Sequence, residues 1–163
     1  MIPQLDMKRH GGRGLLITFC GLDGCGKSTM IRMLRADLEE TGAEVLVTKQ
    51  PTDGMRHSPI FRNYMDADDH SGYEYRALSL MAAADRVQHS NQVILPALRR
   101  GAIVISDRYF YSCLANLRAR GYAQDKWIYE IAKDIPQPDL AFFLDLPVQT
   151  AVARVRARPE ERE

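Results

Sequence analysis

A glycine-rich loop ending in a lysine and two hydroxyl residues is the part of this sequence best suited to chemistry. Residues 21–29 read GLDGCGKST and fit the pattern G-x-x-x-x-G-K-[ST], which predicts a phosphate-binding loop. Its glycines allow successive backbone N–H groups to point at one anion, and the positive dipole end of the following helix adds to this. We expect Lys27 to reach the β- and γ-phosphates of a nucleotide and the Ser28 hydroxyl to ligate Mg²⁺.

The segments on both sides of this loop fit the strand, loop and helix order that it requires. Residues 15–19 (LLITF) form an apolar, β-rich run, and Ile31, Leu34 and Leu38 keep helical spacing in a predicted helix at residues 28–41. Gly42 is suited to the C-terminal cap of that helix. A glycine-rich turn that binds nothing is the alternative, and this context disfavours it.

Charged residues follow two further predicted strands, at residues 44–48 and 102–105. In a parallel sheet the carboxyl ends of the strands meet at one edge, where ligands bind. Lys49 is therefore either a contact to a substrate phosphate or a solvated loop lysine. Asp107 can help to hold hydrated Mg²⁺, and Arg108 can bind a phosphate in bidentate fashion. The alternative for the latter two is a salt bridge to each other.

A long helix is predicted from a capping box at residues 71–74 to Arg100, before Gly101. Its apolar stripe is expected to pack on the sheet and contains Tyr73, Ala77, Leu80, Ala84, Val87, Ile94 and Leu98. Arg86 follows Asp85 in this helix, so it is either half of a structural ion pair or a guanidinium that faces a ligand.

The C-terminal part of the chain is predicted to contain helices at residues 110–120 and 124–134, a strand at 140–145 and a basic helix from Val148. Arg154 and Arg158 share one face of that last helix. Like charges at this spacing repel each other unless an anion lies between them; a solvated surface helix is the alternative. The alternation of strands and helices predicts a parallel sheet flanked by helices.

Composition restricts the class of protein. The chain has 163 residues, 45% of them hydrophobic, and a formal net charge of +1, which argues against a bulk nucleic-acid or membrane binder. Cys20, Cys25 and Cys113 form no C-x-x-C pair, so neither a disulfide framework nor a zinc site is indicated, and a reducing cytoplasm fits best. Residues 1–14 lack the apolar segment of a signal peptide and are expected to form a flexible extension.

Three blocks of residues together resemble the thymidylate kinase family of P-loop nucleoside-monophosphate kinases. They are residues 21–29, residues 80–86 (LMAAADR) leading to 94–98 (ILPAL), and residues 107–109 (DRY) with Ser112. The resemblance covers residues 15–163 and implies an α/β P-loop NTPase fold, with three α/β/α layers around a central parallel sheet. The family continues beyond its lid into another strand and helix. We therefore expect a kinase domain that is incomplete within the lid, leaving strand 140–145 with an exposed apolar edge.

The family transfers the γ-phosphoryl group of ATP to dTMP with Mg²⁺, and the resemblance implies roles by position. ATP would be bound by Gly21, Leu22, Asp23, Gly24, Cys25, Gly26, Lys27, Ser28 and Thr29. The acceptor would be bound by Asp23, Lys49, Arg86, Arg108 and Ser112, and the metal by Ser28 and Asp107. Catalysis would depend on Lys27, Arg108 and the lid residues Arg154 and Arg158. The family also suggests a homodimer.

Departures from the family concentrate around the base of the acceptor. Ala82 replaces a phenylalanine that usually stacks on thymine, and Cys113 and Asn116 replace residues that usually line the base and sugar pocket. Two alternatives to a dTMP kinase therefore stay open: a kinase of another nucleotide or related acceptor, and a catalytically impaired nucleotide-binding module. An acceptor panel would distinguish the first, and ATP binding without acceptor-stimulated ADP release the second.

Overall fold

The computed structural model describes residues 5–157. Its strands are β1 (Leu15–Gly21), β2 (Val45–Lys49), β3 (Ile103–Asp107) and β4 (Leu140–Leu144). Its α-helices are α1 (Lys27–Glu40), α2 (Asp53–Arg56), α3 (Pro59–Asp66), α4 (Tyr75–His89), α5 (Leu95–Arg100), α6 (Phe110–Ala119), α7 (Trp127–Ala132) and α8 (Val148–Arg156), with a π turn at Ser90–Ile94 between α4 and α5. None of these described helices is long and apolar enough to cross a membrane.

The four strands form one parallel sheet in the order β2-β3-β1-β4, as predicted from the alternation of elements. One face packs on α1 through a cluster that includes Ile17, Phe19, Ile31 and Ile105. The opposite face packs on a larger cluster that includes residues of the π turn, α5, α6 and α7. The result is the predicted three-layer α/β/α arrangement, which brings the loops after β1, β2 and β3 to one edge of the sheet.

The predicted strands recur with bounds shifted by one or two residues, but the predicted long helix differs in two ways. Its cap is Glu74, whose side chain accepts a hydrogen bond from the Arg76 N–H, whereas Ser71 bonds to Asp69 outside the helix. The helix is also interrupted by the π turn, so it is not a single α-helix. A π turn uses more residues than an α turn and therefore shifts the buried face.

This shift makes the predicted apolar stripe wrong at Leu80 and Ala84 of α4, whereas Val87 packs against the core as predicted. The buried residues of α4 are Leu78, Ser79, Ala83 and Arg86, while the predicted core residue Leu80 is 46% exposed and Ala84 lies at the surface. Beyond the π turn, Ile94 and Leu98 are fully buried as predicted. The prediction failed because it assumed an undisturbed 3.6-residue period from end to end.

The described part of the N-terminal segment makes more contacts than a loose extension would. The Lys8 N–H donates to Ile135 O at 3.0 Å, and the Gln137 N–H donates to Lys8 O at 2.7 Å. His10 Nε2 lies 3.0 Å from Asp139 Oδ2. These bonds join positions far apart in the chain, which sequence pattern does not show. The first four residues of the predicted extension lie outside the described range.

Strand β4 lies at the edge of the sheet and has the exposed apolar surface that was expected. Leu140 is 48% exposed, Phe142 45% and Phe143 71%. Phe142 stacks on Phe19 of β1 with ring centroids 5.1 Å apart. An exposed apolar edge strand of this kind is a hazard for association with other chains.

Candidate active site

The loop after β1 has the geometry of an anion cradle. Gly24 and Gly26 have φ values of 83° and 99°, in the left-handed region where a side chain would be strained. A Cβ at Gly24 would also lie only 2.7 Å from Ala151 O, so α8 approaches the loop backbone directly. Lys27 is 6% exposed, and its ammonium group donates to Leu22 O at 2.8 Å and Gly21 O at 3.2 Å. The lysine therefore contacts the loop's own carbonyls.

A cavity of about 190 Å³, which we call the phosphate cavity, opens above this loop. Its lining is mostly polar and comes from the loop, from the ends of β2 and β3 and from α2. The lining residues are Asp23, Gly24, Gly26, Lys27, Ser28, Thr29, Lys49, Arg56, Asp107 and Arg108. The structure thus brings together most of the residues predicted to bind ATP and metal, as the meeting of parallel strand ends requires.

Asp107 and Arg108 serve this cavity separately and do not form the salt bridge considered from sequence. Asp107 Oδ1 is buried and has no hydrogen-bond partner among the described residues. Arg108 pairs instead with Asp23, and its Nη1 donates to Gly21 O at 3.3 Å. Arg108 also has a φ of 64°, unusual for a non-glycine residue, and the Ser106 hydroxyl donates to its carbonyl at 2.7 Å.

A second cavity of about 520 Å³, the outer cavity, adjoins the first and is more apolar. Its walls come from the loops after β1, β2 and β3 and from α2, α3, α4 and α6. They include Gly21, Leu22, Asp23, Pro51, Arg56, Phe61, Tyr64, Met65, Tyr75, Leu78, Ser79, Ala82, Arg86, Arg108, Ser112, Cys113, Asn116 and Arg120. The predicted acceptor residues Arg86, Arg108 and Ser112 therefore share one space with Ala82, Cys113 and Asn116.

Arg86 faces this cavity and is not the partner of Asp85. It is 3% exposed, its Nη1 donates to Ala82 O at 2.8 Å, and its buried Nε has no partner among the described residues. Burial lowers the pKa of the Arg86 guanidinium. Asp85 instead accepts hydrogen bonds from the N–H and hydroxyl of Thr52, so it fixes the loop after β2. The ion-pair alternative is wrong, and Arg86 keeps donors for a ligand.

The remaining predicted residues differ in how well the structure places them. Lys49 is exposed and lines the phosphate cavity, not the outer one. Cys25 is buried beneath the loop, with its Sγ 3.8 Å from Lys27 Nζ. Arg154 Nη1 donates to Gly24 O at 3.4 Å. Arg158, the other predicted lid arginine, lies outside the described residues.

Two arginines that line the cavities, Arg56 and Arg120, were missed from sequence. Arg56 lines both cavities, and its Nε donates to Pro51 O at 2.9 Å. Arg120 lies over the Tyr75 ring, 4.1 Å from its centroid, and forms part of the aromatic wall of the outer cavity. Neither arginine belongs to a sequence motif. The only available signal for Arg56 was its position in a polar loop after a predicted strand.

Comparison with known proteins agrees with this geometry. The family model described as thymidylate kinase matches residues 19–163. A probable thymidylate kinase of Pyrococcus horikoshii is 43% identical over 148 residues, which is 90% of this chain and 72% of the relative. A probable thymidylate kinase of Thermococcus kodakarensis is 38% identical over 154 residues, 91% of this chain and 75% of the relative.

A bacterial relative is nearly as similar. The thymidylate kinase of Xanthomonas oryzae pv. oryzae is 41% identical over 150 residues, covering 89% of this chain and 62% of the relative. Archaeal and bacterial relatives thus match nearly the whole of this chain, and the family model matches it from the end of β1 onward. The chain belongs to the thymidylate kinase family.

Proposed function

We propose that this protein transfers the γ-phosphoryl group of ATP to dTMP, giving dTDP and ADP. The observation that carries the proposal is the junction of two cavities: a polar one above the phosphate loop and a larger one with aromatic walls share Asp23 and Arg108. A donor phosphate chain and an acceptor monophosphate could therefore meet end to end. Positioning and charge stabilisation account for most of the catalysis in phosphoryl transfer.

On the donor side, we assign the ATP phosphates to the loop amides and Lys27. Lys27 would exchange its carbonyl contacts for phosphate oxygens when the nucleotide binds. Ser28 and Asp107 would hold Mg²⁺, and the buried, unpartnered Asp107 Oδ1 fits this role because it is a hard oxygen ligand lacking another partner. When bound, the ion would neutralise charge on the β- and γ-phosphates.

On the acceptor side, Arg108 would hold the monophosphate, with Asp23 and Ser112 beside it. Lys49 would reach the acceptor phosphate from the phosphate cavity, which it lines. Arg86 would contact the base. A guanidinium can only donate hydrogen bonds, so it favours a base edge that presents carbonyl oxygens, such as that of thymine. This argument and the family membership favour dTMP over the alternatives.

The lid is the part of the proposal that involves α8. Arg154 lies within 3.4 Å of the phosphate-loop carbonyl of Gly24, so it is close enough to swing onto a transferring phosphoryl group. We assign Arg158 the same role from its spacing alone. An arginine that stabilises the charge of this transition state typically contributes a factor of ~10³ or more in rate.

We also propose a homodimer that works in the cytoplasm. The exposed stripe of Ala84 and Leu80 on α4, which is apolar yet does not pack on the sheet, supports a contact with a second copy. Cys20, Cys25 and Cys113 are free thiols, which suits a reducing compartment. Sedimentation of Leu80→Glu against the unsubstituted chain would test the dimer; an unchanged mass would contradict it.

The main experiment measures ADP formation from Mg·ATP with and without dTMP, using Lys27→Ala as the blank. Stimulation by dTMP that is lost in the blank is the expected result. Stimulation by another nucleoside monophosphate but not by dTMP would favour the alternative acceptor. ATP binding without any acceptor-stimulated ADP release would favour the impaired binding module.

A further inference from the structure

Arg56 lies where the phosphate cavity and the outer cavity meet. Of the described residues that were given a role above, Asp23 and Arg108 share this position. Among the described residues, these three line both the phosphate cavity and the outer cavity. Lys49 borders only the phosphate cavity, and Arg86 borders only the outer one. The phosphate chain of ATP and the acceptor phosphate would meet at this shared wall. The wall therefore presents two arginines and one carboxylate to the phosphoryl group being transferred.

The backbone and stem of Arg56 are held in place by neighbouring contacts. Arg56 is the last residue of α2, its N–H donates to Thr52 O at 2.9 Å, and Thr52 is in turn bound by Asp85 of α4. The Arg56 Nε donates to Pro51 O at 2.9 Å, and the preceding Met55 is buried. One of the five guanidinium N–H donors is thus used, and the four on Nη1 and Nη2 remain for a ligand.

Arg56 forms no salt bridge with a carboxylate of residues 5–157. Arg108, by contrast, pairs with Asp23. Burial is the main cause that lowers the pKa of Arg86, and the positive charges of Arg56 and Arg108 lower it further. The junction of the cavities therefore carries a surplus of positive charge, which an anion at the shared wall would relieve.

We propose that Arg56 is a further catalytic residue, whose guanidinium binds the phosphoryl group as it passes from ATP to the acceptor. In that step the bond between the γ-phosphorus and the β,γ-bridging oxygen breaks, and a bond forms from the phosphorus to an acceptor phosphate oxygen. The electron pair of the broken bond leaves with ADP. Arg56 remains protonated and supplies charge-assisted hydrogen bonds, so the lid is not the only source of such an arginine.

This inference rests on the proposed function, and its test uses substitutions that separate charge from loop structure. Arg56→Gln removes the charge but keeps an amide that can donate toward Pro51 O, and Arg56→Lys keeps the charge. Arg62→Gln is the matched control, because Arg62 lies on α3, pairs with Asp66 and lines neither cavity.

The first readout is steady-state turnover with dTMP. We expect Arg56→Gln to lower kcat by about 100-fold and to raise KM for ATP by up to about tenfold, Arg56→Lys to recover about tenfold of the lost kcat, and Arg62→Gln to match the unsubstituted chain. If Arg56→Gln keeps the kcat of the Arg62→Gln control, Arg56 is not catalytic and the inference is wrong, while the kinase function stands.

The second readout does not depend on the acceptor. Calorimetric titration with inorganic triphosphate, which has the phosphate chain of ATP but no base, should show an affinity about tenfold lower for Arg56→Gln than for Arg62→Gln. Equal affinities would overturn the inference. If the unsubstituted chain shows no dTMP-stimulated ADP release, the proposed function fails, and this titration alone decides whether Arg56 binds phosphate at the shared wall.

Discussion

The phosphate cavity and the outer cavity are adjacent but are built in different ways. The phosphate cavity takes most of its walls from one nonapeptide and from two strand ends, and two of its side chains, Asp23 and Arg108, are paired with each other. The outer cavity is more than twice as large, at about 520 Å³ against 190 Å³, and gathers its walls from four helices and from the loops after three strands. The phosphate cavity is therefore determined mainly by one local stretch of sequence, whereas the outer cavity depends on how distant helices pack.

The largest expected effect tests the shared wall of the two cavities. Arg108→Ala removes the guanidinium that pairs with Asp23 and that we assign to the acceptor phosphate. We expect kcat/KM for dTMP to fall by about 10² to 10³, while KM for ATP changes little, because one preorganised charge contact is lost. Steady-state kinetics measures this, with Arg35→Ala on the exposed side of α1 as the control. A proportional loss in ATP binding would mean that Arg108 belongs to the donor side.

The second-largest effect is expected from a substitution at Ala82, which lines the outer cavity. Ala82 leaves space where a ring could stack on the base, so Ala82→Phe should strengthen dTMP binding. Base-to-aromatic stacking is worth about 1–3 kcal/mol, which corresponds to about 5- to 150-fold in affinity. Calorimetry with dTMP measures it, and Ala36→Phe on the exposed face of α1 controls for the added ring. Weaker binding would show that the base itself needs the space beside Ala82.

The same contrast explains what the sequence could and could not predict. The phosphate loop, the strand ends at Asp107 and Arg108 and the parallel sheet follow from local spacing and from the rule that parallel strands share a carboxyl edge. Arg56 was missed because a four-residue helix has no periodicity to read. The stripe on α4 was wrong at Leu80 and Ala84 because a π turn shifts the buried face without changing the composition of the helix.

Long-range contacts account for the other differences. The bonds that tie Lys8 and His10 to residues 135–139 join positions more than 120 residues apart, and no local pattern marks them. Asp85 is a similar case, since its partner is Thr52 rather than the neighbouring Arg86. The size of the outer cavity likewise follows from packing between α3, α4 and α6, which sequence spacing alone does not determine.

The smallest effect concerns how the two cavities are joined. Ser106 is fully buried, and its hydroxyl donates to the carbonyl of Arg108, the residue with a φ of 64°. Ser106→Ala removes one hydrogen bond, worth about 0.5–1.5 kcal/mol, so Arg108 should hold its conformation less firmly. We expect kcat/KM for dTMP to fall by about 2- to 10-fold with KM for ATP unchanged.

The control for Ser106→Ala is Thr18→Val, because Thr18 pairs with Ser106 across the sheet, is equally buried and makes no bond to Arg108. Thr18→Val removes a buried hydroxyl with almost no change in volume. A fall in kcat/KM that both substitutions cause would therefore come from losing a buried hydroxyl in the core, not from a change at Arg108. Ser106→Thr should restore most of the loss, since it returns a hydroxyl to the same position. If Thr18→Val lowers kcat/KM for dTMP as much as Ser106→Ala does, the hydroxyl stabilises the sheet and does not position Arg108.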